Sequence, residues 1–458
     1  MKGEKLFIFF GATGNLFSEK IIPAFYHLIR RNKIDDFRII AIGRRYNDEH
    51  SYRAFLRRSL EKKISHLELP ILESLFSRTS YFRGDIVAPA QFASFISRYH
   101  LFQYQEVLFY LSTLPSLYPE TLRLIKDLTD AAPPSLSKKI IIEKPFGSNQ
   151  KSFEALDQSL KDIFPEEKIF FVDHYLGKDT VQNIIILKAE NFFIEKLLST
   201  EYVEEIRIVV SEKDGVGTRG NFYEETGAIR DILQSHIMQL ISLIAMDIPP
   251  LCEEDKKECH DFIEKMLGKK TEAIHHLKLP EANQIHLGQY QSYTDEISAP
   301  HSQTETFISL PLYLPTPRWK EVPFWIVTGK KMAEKKSYIE VVFRSSIEVK
   351  NRLIIEIQPE EKIDLIIHTK IPGEGLTSSP VRLNFNSLGT FGINSPEAYE
   401  NILLDCYRGD KTLFPDSTFI LYSWKLIDEL KKMIQDDHNI PKQYPDHQCR
   451  AENLLKDR

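Results

Sequence analysis

Lys5-Leu6-Phe7-Ile8-Phe9-Phe10-Gly11-Ala12-Thr13-Gly14-Asn15-Leu16 is the stretch that decides the fold. Its apolar run Leu6–Phe10 enters a glycine turn directly. From Glu19 to about Arg31, residues Ile21, Ile22, Phe25, Leu28 and Ile29 then keep helical spacing. Strand, glycine turn and helix in that order are the context of a dinucleotide-binding turn. Gly11 permits the tight turn, and Gly14 lets the backbone approach a pyrophosphate seated on the helix N-terminus. The third glycine of the fuller pattern is absent, with Phe17 in its place. Taken alone, the turn also fits a plain strand-to-helix connection. The next strand ends in Gly43-Arg44-Arg45. An acidic residue there would accept from the ribose 2′-OH of NAD, whereas arginines suit the 2′-phosphate of NADP. Thr13 offers a further hydroxyl. A solvated arginine pair is the plainer alternative, so the pattern favours NADP without excluding NAD.

Working outward, apolar strands are expected at Lys5–Phe10, Phe37–Ile42, Val107–Leu111, Lys139–Glu143 and Lys168–Val172. Amphipathic helices are expected at Pro89–Arg98, Ser116–Thr129 and Lys151–Ile163. Such alternation implies a doubly wound parallel sheet. After Val172 the pattern changes. Asp179–Asn191 and Gly227–Ala245 read as helices and Val203–Ser211 as a strand. From about Thr304, β-rich segments dominate: Thr306–Leu314, Ile339–Phe343, Leu353–Ile357 and Lys362–His368. Tyr422–Ile434 returns to helix, and the polar tail after Gln435 is expected to be loosely ordered. The fold class is therefore α/β plus α+β. A Rossmann-like doubly wound parallel sheet (1–172) precedes a larger α+β domain on a largely antiparallel sheet (173–458).

With 458 residues the chain exceeds one ordinary core. A net charge of -6 is mild and gives no basic signature for nucleic acid or a membrane surface. No stretch reaches 18 apolar residues, and the five-residue run at Leu6–Phe10 is too short for a signal segment. A cytoplasmic protein is expected. The four cysteines, Cys252, Cys259, Cys406 and Cys449, make no zinc pattern. Cys252, Cys259 and His260 have the wrong gap for a zinc knuckle, so reduced thiols and no metal are expected.

Asp173-His174-Tyr175-Leu176-Gly177-Lys178 follows the last strand of the first domain. Active sites of open α/β sheets lie at such carboxyl ends. A carboxylate, an imidazole, a phenol and an ammonium fall within six residues, and the helix beginning there suits an anion. A polar loop with a helix cap fits the same residues. Further on, Ile229, Leu233, Leu240 and Leu243 form a helical apolar stripe that includes His236. A satisfied core histidine is one reading, and a buried general base oriented by a carboxylate is the other. At about 100° per residue, Asp231 falls off that stripe.

Together these segments resemble the glucose-6-phosphate dehydrogenase family. Its opening Gly-Ala-Ser-Gly-Asp-Leu is similar to Gly11–Leu16, and its Glu-Lys-Pro-Phe-Gly is intact as Glu143–Gly147. Its signature Asp-His-Tyr-Leu-Gly-Lys-Glu-Thr-Val-Gln-Asn runs from Asp173 to Asn183, with Asp179 replacing Glu. Its Ile-Arg-Asp-x-x-Gln-x-His is Ile229–His236. The later Arg-Trp-x-x-Val-Pro-Phe segment, closing on Gly-Lys, is Arg318–Lys330, and Ile-Gln-Pro is Ile357–Pro359.

The resemblance implies oxidation of C1 of glucose 6-phosphate to a lactone with NADP, the first step of the oxidative pentose phosphate pathway. It implies His236 as the base and Asp173 as the carboxylate that orients it. His174, Tyr175 and Lys178 would bind the phosphate, with Lys335 at the rim. Glu212, Asp231, Lys330 and Gln358 would meet sugar hydroxyls. Gly11, Thr13, Gly14, Asn15, Leu16, Lys20, Arg44 and Lys144 would hold the cofactor, and the Lys144–Pro145 bond is a candidate cis peptide. A homodimer or homotetramer through the second domain's sheet is implied as well. Two departures stand out: Asn15 replaces the usual aspartate, and Phe171 stands where the family commonly has arginine. They are the only support for a catalytically silent NADP-binding regulator. The glucose–fructose oxidoreductase-like family shares Glu-Lys-Pro but lacks the long segment from Asp173.

Overall fold

A computed structural model of the chain describes residues 4–130, 132–249 and 260–450. Cys252 and Cys259 lie outside the described residues, as does the side chain of His260. Two compact units emerge. The first runs through Gly147 and takes Lys151–Gly177 and Pro396–Ser417; the second takes Ser148–Gln150, Lys178–Ser395 and the chain from Thr418.

In the first unit, β1 (Lys5–Phe10), β2 (Phe37–Gly43), β3 (Thr79–Arg83), β4 (Glu106–Leu111), β5 (Ser137–Glu143) and β6 (Ile169–Val172) form one sheet. Its order is β3-β2-β1-β4-β5-β6, and every pair is parallel. The expected doubly wound sheet is thus observed. Its inner strands are apolar on both faces because helices cover both, and Leu6–Phe10 and Val107–Leu111 are buried throughout. Phe7, Phe9, Phe25 and Phe37 build an aromatic core on one face. Tyr399, Ile402, Leu403 and Cys406, from the helix Ala398–Arg408, complete that core. Gly177 is what lets this late helix approach: a Cβ there would stand 2.2 Å from the carbonyl oxygen of Ala398.

The second unit is built on β7 (Val203–Ser211), β8 (His286–Tyr290), β9 (Phe307–Tyr313), β10 (Pro323–Gly329), β11 (Lys336–Phe343), β12 (Arg352–Gln358), β13 (Lys362–Lys370), β14 (Ser378–Asn386) and β15 (Lys442–Tyr444). The order is β14-β13-β12-β11-β7-β10-β9-β8-β15. Among the described residues β7–β10 and β8–β15 pair in parallel and the other neighbours antiparallel, so the sheet is mixed and mostly antiparallel. As far as residue 450 the tail after Gln435 departs from expectation: β15 joins the sheet and Tyr444 is 6% exposed. Among the described residues no helix is long and apolar enough to cross a membrane.

The expected helix Gly227–Ala245 also has a different texture. Gly227 adopts φ +62, Ile229–Ile237 winds as a π-helix, and α-helical winding resumes over Met238–Ala245. π turns concentrate at functional sites.

Candidate active site

The dinucleotide turn lies in the first unit at the switch point between β1 and β4, where chain order reverses and ligands of open α/β sheets bind. Gly11 has φ +87, and a Cβ on it would lie 2.6 Å from the carbonyl oxygen of Ser112. Ser112 itself donates from its backbone N–H and its hydroxyl to Phe10 O, at 3.1 and 2.7 Å. The residue therefore has to be glycine on both conformational and steric grounds. Gly43 likewise clears the side chain of Thr13, whose Cγ2 would be 2.5 Å from a Cβ there. Ala12 N donates to Ile42 O at 2.9 Å, and the Tyr52 phenol to Ala12 O at 2.9 Å. The helix that follows opens as a π turn, Phe17–Ile21, with Leu16 at its N-cap and Asn15 exposed just before it. Lys20 is exposed on that turn, 3.5 Å from Glu397. Arg44, past the end of β2, is exposed and pairs with Asp85 at 3.1 Å.

Lys144 follows β5, and the Lys144–Pro145 bond is cis. The residue before it is tightly held. Glu143 Oε1 accepts from the Tyr110 phenol at 2.5 Å and the Tyr399 phenol at 3.1 Å, while the Tyr118 phenol donates to Glu143 O at 2.9 Å. Burial pushes the Glu143 carboxyl up to about 7, and the two phenol bonds oppose that rise. No local pattern in the sequence marks the Glu143 clamp, since Tyr399 arrives from a helix 256 positions later. Phe171 has a plain explanation: it is buried, with its ring 5.1 Å from that of Phe146 and 5.9 Å from that of Phe153. An aromatic core occupies the position.

Asp173 stands at the carboxyl end of β6, 3% exposed. Its Oδ1 accepts from Tyr175 N at 3.0 Å and its carbonyl from Leu176 N at 3.0 Å, which starts the short turn His174–Gly177. His174 is half-buried, with its ring 5.2 Å from that of the buried Tyr175. The chain re-enters the second unit at Lys178, the N-cap of the helix Asp179–Glu190, and the Lys178 carbonyl accepts from Val181 N and Gln182 N at 3.0 Å each.

In the second unit the π-helix places His236 at 2% exposure and Asp231 at 7%. The wider turn corrects the sequence expectation for Asp231. With i→i+5 hydrogen bonding, residue i+5 swings back toward the face of residue i, so Asp231 and His236 lie nearer one face than a 100° step allows. A buried carboxylate starts this helix: Glu305 Oε1 accepts from Ile229 N at 3.2 Å, and its carbonyl from Ala228 N at 3.0 Å. A Cβ on Gly227 would stand 2.3 Å from Glu305 Oε1. Burial holds the Glu305 carboxyl above its ordinary range. No local sequence signal marks it.

Lys330 and Glu212 are brought together as an ion pair, with the ammonium 5.0 Å from the Tyr223 ring centroid and Lys330 only 3% exposed. Gln358, at the end of β12, donates to Ser337 Oγ at 2.8 Å. Lys335 is exposed just before β11.

A glycine turn at the switch point of an all-parallel sheet, followed in the chain by a mixed-sheet unit holding buried acid–base groups, is the construction of dinucleotide-dependent oxidoreductases. Two family models divide the chain between them: glucose-6-phosphate dehydrogenase, NAD binding domain, matches residues 8–183, and glucose-6-phosphate dehydrogenase, C-terminal domain, matches 185–456. Glucose-6-phosphate 1-dehydrogenase of Chlamydia muridarum is 32% identical over 92% of this chain and 89% of its own. The protein of the same name from Borreliella burgdorferi is 33% identical over 92% and 90%. A solved structure of glucose-6-phosphate dehydrogenase in complex with its substrate glucose 6-phosphate superposes with a TM-score of 0.90 at 26% identity, covering 100% of this chain and 97% of that one. The chain belongs to the glucose-6-phosphate dehydrogenase family.

The geometry at residue 11 makes a direct prediction. Gly11→Ala forces a left-handed backbone costing about 1–2 kcal/mol, before any clash with Ser112 is counted. We expect NADP affinity, read by calorimetric titration, to fall about tenfold or more while the circular dichroism spectrum is retained.

Proposed function

We propose that the protein oxidises C1 of glucose 6-phosphate to 6-phosphogluconolactone with NADP as acceptor, with His236 as the general base and Asp173 as its orienting carboxylate. The observation that carries this reading is the Asp173–Asn183 segment, complete but for Asp179, within a chain that the family's two domains match over residues 8–183 and 185–456. NADP fits the residues present: Gly11 leaves a cradle that a Cβ would fill, and the helix N-terminus behind it favours a pyrophosphate. Among the described residues, exposed Arg44 is held by a surface pair with Asp85, worth little, so a 2′-phosphate can take it over. When bound, NADP supplies the hydride acceptor.

The chain's own residues do the rest. Loss of hydride builds positive charge on C1, which is relieved as His236 removes the hydroxyl proton. Asp173 stabilises the imidazolium that forms. Lys178, with His174 and Tyr175, binds the phosphate, a group remote from C1 whose binding energy orients the sugar. Glu212, Asp231, Lys330 and Gln358 meet the sugar hydroxyls, Lys335 stands at the rim, and Lys144 lies between cofactor and sugar. A cytoplasmic location suits this substrate and cofactor.

The experiment is absorbance at the reduced-nicotinamide band, with glucose 6-phosphate and NADP, then NAD, and glucose as control. Reduction with the phosphorylated sugar alone is expected; none from folded protein would favour a silent regulator. His236→Asn should lower kcat roughly thousandfold with KM for the sugar phosphate nearly unchanged, because a base acts chiefly in the transition state. Lys178→Ala should instead raise that KM about tenfold or more, since it removes a charge-assisted bond made in both states. An unchanged KM removes Lys178 from the phosphate site.

We further propose a homodimer, or a homotetramer built from it, through the outer strands of the second unit. Leu383 on β14 and Leu388 and Phe391 just beyond it are 53%, 58% and 67% exposed, which is unusual for large apolar side chains that meet no partner. Sedimentation at micromolar concentration should give at least two chains, and Leu383→Lys with Phe391→Lys should shift the mass to one.

A further inference from the structure

We infer that the C-terminal strand is a strap that sets the substrate-side lysine, with the Tyr444 phenol as a positioning residue that fixes the backbone of Lys330. The inference rests on Lys330 meeting the sugar as proposed above. Tyr444 lies on β15, opposite Tyr290 of β8. Its ring is accommodated by Gly288, where a Cβ would stand 3.0 Å from the Tyr444 Cδ1, and it packs edge-on against Phe307. The phenol donates to Lys330 O at 2.6 Å and lies 3.0 Å from the Thr306 hydroxyl. Lys330 N donates in turn to Thr306 O at 3.0 Å. Both backbone polar groups of Lys330 are therefore tied, one of them by the tail.

The strap continues past Tyr444. His447 N donates to Lys331 O at 2.7 Å, and Ala333 N donates to Cys449 O at 2.9 Å. Lys331 has φ +51, a left-handed conformation that a lysine holds only where its surroundings impose it. Its N–H donates to Asp214 O at 3.2 Å, and Met332 N donates to Glu212 O at 3.0 Å. The turn is thus wrapped around Glu212, the partner of the Lys330 ammonium. Upstream, the strap is anchored by Gln291 N donating to Tyr444 O at 3.0 Å and by the Ser292 N–H, 3.2 Å from Asp446 Oδ1.

A lysine carries four rotatable side-chain bonds, so its ammonium is placed well only if the backbone beneath it is fixed. Loss of the Tyr444 hydroxyl leaves the Lys330 carbonyl without its donor and loosens the turn toward Lys335. The effect should fall on the sugar phosphate and not on the cofactor, because the glycine turn belongs to the other unit.

The test compares three purified full-length proteins: wild type, Tyr444→Phe and Lys330→Met. Tyr444→Phe keeps the buried ring and removes only the hydroxyl. We expect KM for glucose 6-phosphate to rise about tenfold, with kcat and KM for NADP within about twofold. A lowered Tm with KM unchanged is what a merely structural tail produces, and it overturns the inference. Should Tyr444→Phe fold poorly, the comparison is made at saturating NADP, which stabilises the folded protein, and is read in the same way. Lys330→Met separates the two levels of argument. If it leaves KM unchanged, the placement of Lys330 at the sugar fails; if it raises KM while Tyr444→Phe does not, only the strap fails.

Discussion

The carbonyl oxygen of Ser112 occupies the place where a side chain on residue 11 would stand, and the architecture of the first unit follows from that approach. Two adjacent parallel strands, β1 and β4, must leave the sheet in different directions at this point, because the order β3-β2-β1-β4-β5-β6 reverses there. The Ser112 N–H and hydroxyl both turn back to Phe10 O, which closes the strand ends while leaving the crevice above them. Only glycine satisfies the resulting φ and the steric limit together. The crevice and the helix N-terminus beside it are therefore consequences of sheet topology, and the dinucleotide chemistry is built on them.

In the second unit Glu305 plays the comparable part. A carboxylate buried at a helix start satisfies an otherwise orphaned amide and places negative charge at the positive end of the helix. Here that helix is the π-wound segment carrying Asp231 and His236. The missing Cβ of Gly227 is the condition for the carboxylate to fit. A motif that reads as Ile-Arg-Asp-x-x-Gln-x-His thus depends on a residue 76 positions beyond Ile229 that no motif contains.

What was legible in the chain follows a physical division. The buried parallel strands β1, β2, β4, β5 and β6 show themselves because burial on both faces demands continuous apolar runs. β3 stays hidden: it is a short edge strand with Ser80 and Arg83 among its five residues. Pro89–Arg98 reads as one amphipathic helix but forms a 3₁₀ turn, Pro89–Phe92, and a short helix, Phe95–Tyr99, since single-residue spacing does not distinguish such windings. The same blindness to winding set Asp231 apart from His236. The polar tail gave no hint of order because β15 is three residues long and owes its place to Tyr444 finding the gap at Gly288. The candidate site residues are legible as contiguous motifs. Those that hold the motifs in place, Tyr399, Glu305 and Tyr444, come from distant chain segments and carry no local pattern.

Asp173 shows why two readings of one residue need not compete. As a polar loop residue it caps the turn His174–Gly177, with Oδ1 accepting from Tyr175 N at 3.0 Å. In the orienting role proposed above it has to present a fixed oxygen toward an imidazole. The first role is the means to the second: a carboxylate with one oxygen bound to its own backbone has a set rotamer, and the direction of its other oxygen is then set as well. The same logic applies to Glu143, whose carboxylate is clamped by two phenols immediately before Lys144. In both places the site residue, or its chain neighbour, is immobilised by bonds whose donors are buried. The order that the proposed catalysis needs is thereby present before substrate arrives.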